Sequence, residues 1–213
     1  MPGQQIQTTA FILAKLPSGS DSFEQLTVFS SEQGLLRCLR RFAPARARTP
    51  LRGTQEIAAP IDLFDEAELW LESSNQGRTW FIKEHRLIQR HEGIGRSYET
   101  LRAAAALSTL VGRNTVADES RDTVVNLLRT TLTALAAGGR PDITWLKALY
   151  CFLRDEGYPV KQHWWPDLPV DDREIAAQLL NQPLAAQTAD ATTVARINRR
   201  LEEWVKAETE IRL

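Results

Sequence analysis

The sequence predicts an α+β protein: a small β-barrel over residues 1–90, followed by an all-helical domain over residues 91–213. Three observations predict it. Apolar and polar residues alternate with period two through the first 90 residues, and clusters of turn formers separate the runs. From Gly93 the apolar spacing changes to about 3.6 residues. The length, 213 residues with 43% hydrophobic content, allows one large domain or two small ones, each with a core.

The strands come first. "TTAFILAKL" (8–16) is rich in β-branched and apolar residues and ends at the turn cluster "PSGSDS". "FEQLTVFSS" (23–31) alternates, with Phe23, Gln25, Thr27 and Phe29 on one face and Leu26 and Val28 on the other. Gly34 then suits a turn that needs positive φ. "LLRCLRRF" (35–42) places Leu35, Arg37, Leu39 and Arg41 on one parity and Leu36, Cys38, Arg40 and Phe42 on the other; a short helix fits it too. Three prolines and a glycine make "APARARTPLRGTQEIAAP" a long loop or two edge pieces. "IDLFDEAELWLESS" (61–74) and "RTWFIKEHRLIQ" (78–89) are the last strands, joined by a hairpin-like turn at Asn75-Gln76-Gly77; Glu66–Glu72 has a helical alternative. Five short strands with these turns fit a closed or half-closed barrel. Their order and charge suit an OB-fold, although periodicity does not separate that from an SH3-like barrel.

Five helices follow. In "RSYETLRAAAALSTLVG", Tyr98, Leu101, Ala105 and Ser108 form a stripe widened by Leu107, Leu110 and Val111, with Ile94 one turn ahead. "DESRDTVVNLLRTTLTALAAGG" carries Val124, Leu128, Leu132 and Leu135 and stops at Gly138-Gly139. "PDITWLKALYCFLRDEGYP" starts at Asp142 as N-cap, buries Ile143, Leu146, Tyr150 and Leu153, and ends at Gly157 before Pro159. Asp171 and Glu174 stand at capping-box spacing ahead of the fourth helix. The fifth carries Val194, Ile197, Leu201 and Trp204.

Charge is distributed unevenly. The whole chain has net charge −1, yet residues 1–60 carry +3, from Lys15 and six arginines against four acids. Arg37, Arg40, Arg41, Arg46, Arg48 and Arg52 all fall within "GLLRCLRRFAPARARTPLRG" (34–53), which has no acid and no lysine. Arginine forks onto phosphate and stacks on bases. Alternate arginines on one strand face lie about 7 Å apart, close to the spacing of phosphates in an extended nucleic-acid strand. Phe42, beside Arg41, offers a ring for base stacking. The competing reading is a solvated edge and loop. These residues, with Lys15, are the candidate DNA-binding set.

The remaining features carry less chemistry. "HWWPDLP" (163–169) is an irregular aromatic loop. Trp164 and Trp165 either form a partner-binding pocket or plug the helical core, and the plug is favoured. His85 and His91 stand six apart, which does not match a helical zinc pair, and no cysteine cluster helps. No metal site, cofactor site or catalytic set is expected. "GIG" (93–95) lacks the context of a nucleotide loop. The two cysteines, Cys38 and Cys151, imply no disulfide framework, and no apolar run is long enough to span a membrane. A cytoplasmic protein, nucleoid-associated if it binds DNA, is the expectation.

The order of features resembles a known family. The apolar first strand, polar turn, glycine-closed second strand and basic third strand of residues 10–42 resemble the opening of the bacterial recombination mediator RecO. "PLRGTQEIAAPIDLFDEAELW" looks like that family's next segment. "WLKALYCFLRDEGYPV" resembles its helix ending in a Leu-Leu-x-x-x-Gly-x-x-Pro type motif, with Gly157 and Pro159 in the glycine and proline places. The resemblance implies an N-terminal OB-fold, a helical C-terminal domain, and a role in DNA repair. It further implies binding and annealing of single- and double-stranded DNA, and contacts with RecR and single-stranded DNA-binding protein. Many members carry a four-cysteine zinc site after that motif; here the place reads "VKQHWWPDLP", without cysteine.

The functional expectation is therefore a DNA-binding recombination mediator that catalyses no covalent step. The alternative is an adaptor whose arginines bind an acidic peptide tail. A small hydrolase is poorly supported, because no nucleophile and base can be named.

Overall fold

Alternation with period two becomes a sheet where one parity of a strand is buried and the other faces out. The structure, a computed structural model, describes residues 3–17, 22–41, 60–73 and 76–213. These fall into two units, Met1–Arg90 and His91–Leu213. The first is a five-stranded sheet among the described residues: β1 (Gln4–Pro17), β2 (Phe23–Ser30), β3 (Gly34–Arg41), β4 (Glu66–Ser73) and β5 (Trp80–Gln89). β1 pairs antiparallel with both β2 and β4, and β2 with β3. β4 and β5 are antiparallel, and a short parallel pairing, Cys38 with Trp80 and Leu39 with Phe81, joins β3 to β5. Each strand thus has two neighbours.

The parity read from sequence holds in β3 and over Phe23–Val28 of β2, whereas Phe29, read with Phe23, is buried at 1% exposure. Leu26, Val28 and Cys38 enter one core with Ala10, Ile12, Leu69 and Trp80. Gly34 adopts φ 66° between β2 and β3, a conformation that strains any residue with a Cβ. Gln76 and Gly77 both take positive φ ahead of β5, where the sequence places its hairpin-like turn. Residues 66–72 are strand rather than helix, because pairing with β1 and β5 on both edges outweighs the local helical preference of Glu and Ala.

The second unit is helical: α1 (Tyr98–Arg113), α2 (Arg121–Ala136), α3 (Pro141–Asp155), α4 (Trp164–Asp167), α5 (Val170–Asn181) and α6 (Ala191–Glu208). α3 is the axis, packed by α1, α2, α5 and α6. It buries Ile143, Leu146, Leu149, Phe152 and Leu153, each stabilising by roughly 1.5–3 kcal/mol as buried apolar surface. Its end is a Schellman motif: Gly157 has φ 85° and donates to Arg154 O, and Tyr158 N–H reaches back to Leu153 O. Gly93 is required for a different reason. A Cβ there would lie 1.9 Å from Ala136 O, so the turn before α1 rests directly on the backbone of α2.

Four helical expectations change. Tyr98 is 73% exposed, and Leu101 and Ala105 also face out. α1 instead buries Ala103, Ala104, Leu107, Ser108, Leu110 and Val111, so the stripe is rotated toward its small residues. Asp142 does not cap α3: Arg140 holds the N-cap place, Pro141 is the first helical residue, and Arg140 forks onto both Asp142 oxygens at 3.0 and 2.8 Å. Asp171 does not form a capping box, because α5 begins one residue earlier at Val170. The "HWWPDLP" segment contains a one-turn helix, α4, that the sequence pattern left irregular.

Candidate nucleic-acid interface

The outward parity of β2 and β3 builds a chemically distinct face. On β3 it presents Leu35, Arg37, Leu39 and Arg41; on β2 it presents Phe23, Gln25 and Thr27. The register sets Arg41 opposite Phe23 and Arg37 opposite Thr27. Phe81 of β5 lies beside Leu39 on the other edge. The rings of Phe23 and Phe81 meet edge to face across β3, with centroids 6.0 Å apart. Both rings are half-buried.

Arg37 and Arg41 are exposed and have no ion-pair or hydrogen-bond partner among the described residues. Arg41 lies four residue steps beyond Arg37 along the strand, about 13 Å at 3.3 Å per residue. Two guanidinium groups thus flank an aromatic pair on one sheet face. That combination can neutralise phosphates and offer rings for stacking.

The other predicted residues are placed differently. Arg40 has inward parity. It forms an ion pair with the buried Glu24 opposite it on β2, and its Nη1 donates to Ile61 O at 3.1 Å. Its charge is used inside the fold, so it does not join Arg37 and Arg41. Lys15 donates to Asp62 Oδ1 at 2.9 Å, and that hydrogen bond holds the Asp62 carboxyl below its ordinary range. Lys15 is thereby already neutralised at an exposed pair of small worth. Phe42, Arg46, Arg48 and Arg52 lie outside the described residues.

Sequence reasoning missed Phe23 and Phe81 as partners. Phe23 was visible on the outward parity. Phe81 was not, because β3 and β5 are far apart in sequence and no local pattern reports their register.

The tryptophan pair behaves as a plug in part. Trp164 is 2% exposed and packs against Tyr150 (centroids 6.3 Å) and Trp165 (6.0 Å). Trp165 is half-buried. A ring buried as deeply as Trp164 offers no surface to a partner. Among the described residues no group of three or more His, Cys, Asp or Glu side chains is arranged to hold a metal ion, and no helix is long and apolar enough to cross a membrane.

No family model and no curated protein matches this chain.

Proposed function

We propose that the N-terminal unit is a closed five-stranded barrel of the OB type that binds nucleic acid on its β2–β3 face. The ring of strand pairings, with its short parallel β3–β5 seam, supports that reading of the sheet. The observation that carries the functional reading is the Phe23–Phe81 pair flanked by Arg37 and Arg41, which have no partner among the described residues. Strands 2 and 3 of such barrels are where oligonucleotides lie. Together with the resemblance of residues 10–42 and 145–160 to RecO, this favours a recombination mediator of DNA repair that binds strands and promotes their annealing. In annealing, the arginines lower the repulsion between two phosphate backbones, and no bond is made or broken in the protein.

The test is an anisotropy titration of a labelled single strand over a range of salt concentrations. Binding weakens with salt, and Arg37→Gln/Arg41→Gln lowers the log–log slope by about 1.4, since each phosphate contact contributes about 0.7 for a single strand. Absence of any complex at low ionic strength overturns the reading. So does an unchanged slope in the double variant. Displacement of the strand by an acidic peptide with equal affinity would favour the adaptor alternative.

A further inference from the structure

The outward face of β1, β4 and β5 holds a group that the nucleic-acid reading does not use. Trp70 sits midway along β4, half-buried, with Gln7 opposite it on β1 and Glu84 opposite it on β5. Its outward neighbours along β4 are Glu68 and Glu72. Both of these carboxylates are satisfied: Arg86 pairs with Glu68 at 2.6 Å, Gln7 donates to Glu68 at 2.6 Å, and Lys83 pairs with Glu72 at 2.6 Å.

Glu84 differs. It is exposed and has no ion-pair or hydrogen-bond partner among the described residues. A β-bulge produces this. The register runs from Trp70↔Glu84 to Leu71↔Ile82, so Lys83 has no opposite residue and two consecutive residues, Lys83 and Glu84, are both exposed. Lys83 turns to Glu72, and Glu84 is left facing the Trp70 position. A cavity of about 420 Å³ covers this place, lined by Gln5, Gln7, Trp70, Glu72, Lys83 and Glu84.

Besides the Glu72–Lys83 ion pair and the apolar Ile6 and Leu71, the lining is an aromatic ring, a carboxylate without a partner among the described residues and two amide side chains that can accept. An indole face attracts cations, and a planar guanidinium can stack on it while donating to a carboxylate at its edge. Nucleic acid is disfavoured here, because Glu84 repels phosphate. We propose that the groove over Trp70 receives an arginine side chain from a basic segment of a partner protein. It lies on different strand positions from the Arg37–Arg41 face, so one unit presents a cation-rich surface and a cation-receiving one.

The experiment uses the full chain, without DNA, at low salt. The probe is the blocked peptide Gly-Arg-Gly-Arg-Gly, followed through the Trp70 indole N–H resonance and by calorimetry. Saturable shifts of that resonance are expected. Glu84→Gln weakens binding by about two- to fivefold, the scale of one exposed cation–carboxylate contact. Lys83→Ala releases Glu72 and tightens binding, a gain that misfolding cannot imitate. A Gly-Gln-Gly-Gln-Gly peptide does not bind. Equal affinity of wild type and Glu84→Gln overturns the proposal, as does equal binding of the glutamine peptide or an unmoved Trp70 resonance at millimolar peptide.

Discussion

Glu24 of β2 and Arg40 of β3 stand directly opposite each other and form a buried ion pair, with Glu24 only 5% exposed. The pair separates two kinds of arginine on one strand. Arg40 faces inward and holds the sheet, while Arg37 and Arg41 face outward with no partner among the described residues. Arg40→Ala therefore leaves an uncompensated buried carboxylate and destabilises by about 3–5 kcal/mol. Replacing both partners, Glu24→Met/Arg40→Met, recovers most of that loss, because the desolvated charge is removed as well. Urea denaturation of the three proteins checks this. If Arg40→Ala were as stable as wild type, the ion pair would have no structural role.

Asp172 makes the corresponding test in the helical unit. It is 4% exposed and joins α5 to α6 by accepting from Arg196 Nε and Nη2 at 3.1 and 2.9 Å. Arg200 Nε also lies 2.8 Å from its second oxygen. Both arginines are more than a third exposed and rehydrate when released. Arg196→Ala alone then costs little, because Arg200 remains. Arg196→Ala/Arg200→Ala strands a buried carboxylate and costs about 3–5 kcal/mol. A thermal melt of both variants reads the non-additivity. Simple additivity of two small effects would show that Asp172 is not held by the pair.

Tyr158 gives an alkaline signature. Its hydroxyl donates to Glu210 Oε1 at 2.9 Å, and burial first, then that bond, push the phenol up to about 12. In the unfolded chain a tyrosine ionises near about 10. Below about pH 10 the contribution is fully present; between about 10 and 12 the unfolded state has lost a proton that the folded state keeps, so stability falls as pH rises. Tyrosinate absorbance of the folded protein should show a late step near pH 12. Tyr158→Phe removes that step, and Glu210→Gln moves it down. A late step that persists in Tyr158→Phe would place it on another tyrosine.

The thiols report the two cores. Cys38 is 0% exposed, and burial pushes it up to about 12. Cys151 is half-buried and raised, chiefly by burial. Native protein at pH 8 should leave Cys38 unreacted with Ellman's reagent and modify Cys151 slowly, whereas guanidinium exposes both. Fast release of two thiols from native protein would mean that the β3 core opens readily.

The sequence alone was sufficient for a run of strands followed by helices, the change of period near Gly93, the shared parity of Leu26 with Val28, and the turns at Gly34 and Gly157. These are local properties: side-chain alternation and positive φ depend on a few adjacent residues. It also located the cationic stretch. Which of those cations are available was decided only by tertiary structure, because Arg40 and Arg41 differ by one residue and hence by sheet face, and Glu24 reaches only one of them. The same holds for Phe81 beside Leu39 and Glu84 beside Trp70. Those juxtapositions arise from register between strands that are distant in sequence, and from a bulge that no period-two pattern records. The rotation of α1 onto its alanines has a similar origin. A helix facing close-packed neighbours buries the side chains that let backbones approach, whatever their hydrophobicity ranking.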